Sequence, residues 1–400
     1  MQKIKLKNGL TVIYRKKKTK SLAIEILVKV GSNNEKKDER GLSHFIEHLI
    51  FEGTKKRRTS QEITNEIEKV GGEINAYTSS EKTCYFIQIL NKHFEIALDI
   101  LADIIQNPLF EEKIIEKEKE VVNKEIALVN DSPRFYQWIL FEKNLYKKHP
   151  TRNPTYGDSK VIANLKRDKI VKYYQKYYTP NNMILTIVGD IKNWKRQVEQ
   201  KFVAPCGKNI QLKKVAEPLA KKIYYKVEKR KIKNTYLILG FKTVPRNHKD
   251  SYILDVIDGI LGRGQSGWMF NEIRAKRGLA YEVGTHHTCS QQYGYFAIYL
   301  NTNKKNIIKA KKLILEQLNK LKGVSASEII EAKNYLEGSF LLELEDTQKL
   351  ADGLAFWEQI ETAQKMEEYI HQIKKVTKSD ITRVVNTYFK NYCLTILEGK

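Results

Sequence analysis

The stretch Gly41–Gly53, GLSHFIEHLIFEG, sets the reading of the whole chain. Wound as a helix at about 100° per residue, it puts His44, Glu47 and His48 on one stripe, because positions i, i+3 and i+4 face the same way. Leu42, Phe45, Ile46, Leu49 and Ile50 fill the remaining faces. Two imidazoles one turn apart can each aim a nitrogen at a single Zn²⁺ about 2.0–2.1 Å away. The glutamate beside the second histidine can then reach a water on the metal. The order is H-x-x-E-H, the inverse of the commoner H-E-x-x-H. With only 8 histidines in 400 residues, its chance occurrence is on the order of one in a hundred. A surface helix with two solvated histidines is the plain alternative.

The same apolar frame recurs later in the chain. A shift of 211 residues lays Leu42, Phe45, Ile46, Leu49 and Ile50 over Ile253, Val256, Ile257, Ile260 and Leu261. His44, Glu47 and His48 then fall on Asp255, Asp258 and Gly259, so the frame is kept and the ligand set is gone. Around it the order of elements also repeats. The first half reads as strands IKLKNGLTVIYR and SLAIEILVKVGS, helices near 38–52 and 58–70, a strand through INAYTSSEKTCYFIQIL, long helices over 92–129 and a strand at 182–190. The second reads as strand NTYLILGF, helices at 249–262 and MFNEIRAKRG, strands AYEVGTHHT and GYFAIYLN, then long helices to 386. Recurrence in one order implies an internal duplication. The expected fold is α+β: two similar tandem domains, each a mostly antiparallel sheet backed by helices. Residues 1–205 form the metal-binding domain, the polar stretch 206–218 a linker, and 219–400 a similar domain without the metal.

Bulk properties agree with this. A chain of 400 residues is expected to divide into two domains of about 200 residues. The net charge of +24 invites a nucleic-acid reading. The lysines are spread along the chain and interleaved with glutamates, as in EEKIIEKEKEVVNKE, so a solvated surface is the better account and no specific nucleic-acid partner is expected. Cys84, Cys206, Cys289 and Cys393 are far apart and form no C-x-x-C, which suits a reducing, cytoplasmic setting. The start, MQKIKLKNGLTVIYRKKK, lacks the apolar run of a signal peptide, and no run approaches the roughly 20 apolar residues of a membrane span.

A hydrolytic zinc site wants three protein ligands and an open position. In IIEKEKEVVNKEIALV the apolar stripe runs through Ile114, Ile115, Val121, Val122 and Val129, with Glu118 and Glu125 in its middle. Two carboxylates on a buried face need a metal, a cation or hydrogen bonds. Glu125 as third ligand and Glu118 as the carboxylate orienting a histidine account for both. A pair of structural salt bridges is the alternative.

This pattern resembles the pitrilysin family, which includes insulin-degrading enzyme and the mitochondrial processing peptidase. Its signature is H-x-x-E-H followed after about 76 residues by a glutamate, and here 76 residues separate His48 from Glu125. The resemblance implies His44, His48 and Glu125 as ligands of one Zn²⁺ per chain, Glu47 as general base and Glu118 as supporting acid. It extends to GGEINAYTSSEKTCYF, similar to the family's edge strand that holds substrate, with Asn75 and Ala76 at the backbone-contacting positions. In RAKRGLAYEVG, Arg274 and Tyr281 match a pair that binds the substrate backbone and supports the tetrahedral intermediate. Read without the family, Arg274 is a helix C-terminal cation and Tyr281 a half-buried strand residue. Ser266-Gly267-Trp268 departs from the family's usual serines and arginine.

LGRGQSGW has the glycines of a phosphate loop without its G-K-[ST], so a tight turn is expected. His286 and His287, adjacent in a strand, point to opposite faces and cannot chelate together. Larger relatives close four such domains into a chamber, so the resemblance implies a homodimer with sites shared between chains. The implied activity is a zinc-dependent endopeptidase acting on short or unfolded peptides. The alternative is a non-catalytic core subunit of the same family.

Overall fold

The computed structural model describes residues 1–210 and 215–399; residues 211–214 of the expected 206–218 linker, and Lys400, lie outside the described residues. Packing divides the chain into two units, each assembled from three pieces. Met1–Leu128, Pro154–Lys213 and Glu343–Met366 form the first; Val129–Asn153, Lys214–Leu342 and Glu367–Lys400 form the second. This differs from the contiguous division at 1–205 and 219–400 by two exchanged segments. The reason is physical: an apolar stripe requires that a helix be covered, but does not say by which sheet.

The first unit is built on strands β1 (Gln2–Lys5), β2 (Thr11–Lys16), β3 (Ser21–Val28), β4 (Glu73–Thr78), β5 (Thr83–Leu90) and β6 (Met183–Gly189). Their order is β1-β2-β6-β3-β5-β4. Neighbours are antiparallel except β2 and β6, which are parallel. β3 shows how both faces are used, since successive side chains alternate. Leu22, Ile24, Ile26 and Val28 enter the main apolar core with helices Leu42–Ile50 and Phe94–Gln106. Glu25 turns to the other face, where Gln348 of helix Thr347–Ile360 donates to it at 2.8 Å. β4 closes one side of the sheet, and its outer edge pairs with no strand among the described residues.

The second unit carries β7 (Tyr224–Arg230), β8 (Thr235–Lys242), β9 (Glu282–Cys289), β10 (Gly294–Thr302) and β11 (Cys393–Gly399) in the order β7-β11-β8-β10-β9. Only β7 and β11 run parallel. This is the order β2-β6-β3-β5-β4 again, with no counterpart of β1 among the described residues. The register agrees: Glu25 opposes Phe86, Gly240 opposes Ala297, and Phe86 and Ala297 are 211 residues apart. The duplication inferred from one helix thus extends through the sheet.

The exchanged helices occupy equivalent places in the repeat. Helix Pro133–Leu145, with proline at its favoured first position, packs fully buried Phe141 against Ile238, Tyr295, Ala297 and Cys393 of the second unit. A Cβ on Gly240 would lie 2.4 Å from the Phe141 ring, so that strand position must be glycine. Pro133 and Thr347 are 214 residues apart, and each helix covers the sheet of the opposite sequence half. Among the described residues no helix is long and apolar enough to cross a membrane.

Candidate metal centre

Helix Leu42–Ile50 starts from Gly41 at φ 96°, a left-handed conformation that favours glycine. Gly157 packs against it so closely that a Cβ there would lie 2.3 Å from the Gly41 Cα. The two Glu35 carboxylate oxygens accept the N–H groups of Gly41 and Ser43, each at 2.8 Å. A carboxylate here satisfies amides that the helix leaves unpaired and complements its dipole. Leu42, Phe45, Ile46, Leu49 and Ile50 are buried, which fixes the azimuth of the His44, Glu47 and His48 stripe.

That stripe meets helix Glu112–Asp131. His44 Nε2 lies 3.6 Å and His48 Nε2 3.5 Å from the same oxygen, Oε2 of Glu125. Donors about 2.0–2.1 Å from a tetrahedral zinc stand about 3.3–3.4 Å apart, so this spacing fits one ion. His48 Nδ1 is 3.3 Å from Glu118 Oε2. Donation from that nitrogen fixes the tautomer and leaves Nε2 free for a metal. The Glu118 side chain is 6 % exposed and the Glu125 side chain 42 %, so only Glu118 is the buried carboxylate expected from the stripe. The buried face is in fact Ile115, Glu118, Lys119, Val122 and Ile126, while Val121 is exposed. Glu125 lies two turns along the helix from Glu118 at nearly the same azimuth, where the side chain is half exposed.

Electrostatics mark the same place as short of positive charge. Burial and then the neighbouring His48 hold His44 down to about 4. For His48 burial acts downward, yet its bonds to Glu118 and Glu125 lift it to about 9. Hydrogen bonding to His48 keeps both glutamates below their ordinary range. Glu47 is pushed upward by burial, and its carboxylate accepts the Thr78 hydroxyl of β4. Thr78 is a functional contact that the sequence reading missed. Its alternation with Tyr77 would have placed it on the helix-facing side, but no local pattern links it to Glu47.

On the same strand, Asn75 is exposed and its Oδ1 accepts the N–H of Ala76 at 2.8 Å, while Ala76 packs partly against the core. In the second unit Arg274 lies in the π-helical turn Phe270–Ala275, its guanidinium 5.1 Å from the Phe270 ring. Such turns are rare and concentrate at functional sites. Tyr281 directly precedes β9 and is 58 % exposed, not half-buried within the strand. Its N–H donates to Asn301 O at 3.0 Å, which leaves the ring to project. Gly264–Ser266 form a tight 3₁₀ turn. His287 bonds Asp255 while His286 packs on Trp138, so the two do face opposite ways.

Comparison with known proteins finds relatives over nearly the whole chain. Residues 11–159 match the family described as Insulinase (Peptidase family M16), and residues 164–336 match the Peptidase M16 inactive domain. A protein of Bacillus subtilis named "Uncharacterized zinc protease YmxG" is 32% identical over 347 residues, covering 85% of this chain and 83% of its own length. An "Uncharacterized zinc protease" of Rickettsia felis is 32% identical over 408 residues, covering 99% and 96%. A crystal structure described as a protease from Helicobacter pylori superposes with a TM-score of 0.93 at 26% identity, covering 99% of each chain. The chain therefore belongs to the M16, pitrilysin-like family of zinc proteases, in its small two-domain form.

Proposed function

We propose that the chain is a zinc-dependent endopeptidase that cleaves short or unfolded peptides, with one zinc per chain held by His44, His48 and Glu125. The observation that carries this is the convergence of His44 Nε2 and His48 Nε2 on one Glu125 oxygen, at 3.6 and 3.5 Å. Bound zinc supplies Lewis-acid polarisation of the scissile carbonyl and makes water a nucleophile near neutral pH. Glu47, raised by burial and oriented by Thr78, takes a proton from the attacking water and hands it to the departing amine. Glu118 holds the His48 ring in place. An extended peptide adds to the free edge of β4, its carbonyl replacing the Asn75 oxygen now on the Ala76 N–H. Arg274 binds the peptide backbone, and the exposed Tyr281 hydroxyl donates to the developing oxyanion.

Two chains form a symmetric dimer around a chamber, the first unit of one facing the second unit of its partner. The setting is cytoplasmic and reducing, which accords with four free cysteines.

The test is Glu47→Gln. It retains zinc and loses peptide cleavage by about 10²–10⁴-fold. Wild-type turnover in that variant would remove Glu47 from the mechanism. Zinc-loaded wild-type protein that cleaves no quenched peptide would favour a non-catalytic core subunit. For the shared site, Glu47→Gln and Tyr281→Phe proteins are each weak, and a subunit-exchanged mixture recovers roughly a quarter of wild-type activity by symmetry. An exchanged mixture as inactive as its parents sinks that arrangement.

A further inference from the structure

β4 is gripped from behind by a helix that the first sequence half does not supply. Ile74 and Ala76 pack toward the apolar core and Thr78 turns to Glu47, so Tyr77 turns the other way. There its hydroxyl donates to the carboxylate of Asp352, in the middle of helix Thr347–Ile360. Lys82, at the end of the β4–β5 turn, brings its ammonium to 2.6 Å from the same Asp352 oxygen. That ammonium lies 5.1 Å from the Tyr77 ring centre and 5.7 Å from that of Phe356. The helix is fastened along its length: Gln348 to Glu25 at 2.8 Å, Gln88 to Thr347 at 3.2 Å, and Gln359 to the carbonyl of Glu81 at 2.9 Å.

A partly buried ion pair such as Lys82 and Asp352 contributes little net stability, because desolvation and solvent screening offset the attraction. What a satisfied polar cluster does provide is one fixed geometry. The residue it fixes here is telling. Tyr77 is next to Thr78, which orients Glu47, and two residues from Asn75. An edge strand has a strand neighbour on one side only, so its height above the sheet depends on what holds its two faces. Thr78 holds one and Tyr77 the other. Peptide addition needs the outward N–H and C=O groups aligned beforehand, since ordering them on binding costs affinity.

We infer that Tyr77, Lys82 and Asp352 are positioning residues that hold β4 at the register and height required for peptide addition. This rests on the reading of β4 as the strand that receives substrate. The latch touches neither metal nor peptide, so its loss weakens binding of extended peptides and spares the chemistry.

The experiment compares zinc-loaded wild type with Tyr77→Phe, Asp352→Leu and Asp352→Asn on a ten-residue peptide and on one too short to span β4. In Tyr77→Phe and Asp352→Leu the KM for the long peptide rises about tenfold, the scale of one hydrogen bond to a charged group. Their kcat stays within about twofold, and their KM for the short peptide is unchanged. Asp352→Asn keeps an acceptor for Tyr77 and recovers most of the loss. Hydrogen exchange at residues 73–78 quickens in Tyr77→Phe while β5 stays protected. An unchanged KM for the long peptide, or kcat and zinc content falling in step with it, overturns the inference. If those variants keep wild-type KM while wild type cleaves normally, only the latch fails. If wild type cleaves neither peptide, the peptidase reading falls and the latch with it.

Discussion

Helix Leu42–Ile50 of the first unit and helix Asp250–Gly262 of the second hold equivalent places on equivalent sheets, and they handle charge in opposite ways. In the first, two imidazoles and two glutamates converge at N···O distances of 3.3 to 3.6 Å. In the second, Asp255 stands where His44 would be and is saturated. Arg246 reaches it at 2.7 and 3.3 Å, His287 at 2.7 Å and the Tyr369 hydroxyl at 3.1 Å. Burial alone would raise Asp255, yet Arg246 and His287 hold it well below its ordinary range. Asp255, His287 and Cys289 bring ligand atoms within 4.8 Å of one another, but the guanidinium already supplies the charge a metal would bring. Gly259, the counterpart of His48, is crowded differently: a Cβ there would meet Ala332 at 3.3 Å, a contact tight enough that the neighbour would have to shift. On the proposed reading the same scaffold serves as a metal centre or a closed ion pair according to a few side chains, and the apolar frame is indifferent.

The back faces differ as well. Glu25 and Gly240 are equivalent by register. The first unit places Glu25 with Gln348, Lys82 and Asp352, whereas the second places Gly240 under the Phe141 ring. At this position one exchanged helix meets the sheet through polar bonds and the other through ring packing.

These contrasts can be broken one at a time. The largest effect belongs to Asp255→Asn, which takes from the largely buried Arg246 the carboxylate charge that its guanidinium bonds. It costs about 3–5 kcal/mol of unfolding free energy and leaves zinc content unchanged. A loss of zinc in that variant would mean the two helices are not functionally separate. Next is Glu118→Ala, which weakens zinc binding about 10–100-fold without abolishing it, as expected of a carboxylate that only orients His48. Competition with a chelator measures it, and an affinity equal to wild type would deny Glu118 that part. The third concerns the back face. Burial, with Asp352 alongside, pushes Glu25 up to about 8 from 4.5, facing Lys82, Cys84 and Gln348. Between those values the folded state keeps a proton that the unfolded state has lost, so stability falls as pH rises from about 4.5 to about 8. Glu25→Gln flattens that slope in denaturant titrations across the window; an unaltered slope would mean that Glu25 is already ionised.

Much of this was legible in the chain, and the boundary is instructive. The His44–Glu47–His48 stripe and its apolar flanks could be read because helical periodicity is local. The duplication could be read because Leu42 to Ile50 has a counterpart at a fixed shift. Glu118 and Glu125 were found by the same periodicity, but which of them is buried was not, since seven residues keep nearly the same azimuth and what covers each turn of the helix is not a local pattern. Thr78 and Asp352 were invisible because their partners lie 31 and 275 residues away, at Glu47 and Tyr77. Nor does any pattern in Pro133–Leu145 or Thr347–Ile360 announce that each helix covers the other half's sheet. The π-helical turn at Arg274 likewise has no periodic signature.

The central claim is that one unit of the repeat binds zinc and the other cannot. Metal analysis of purified wild type beside Glu125→Ala tests it most directly. The account predicts close to one zinc per chain in wild type and nearly none in Glu125→Ala, with both proteins folded. Two zinc ions per wild-type chain, or a full complement retained in Glu125→Ala, would contradict it.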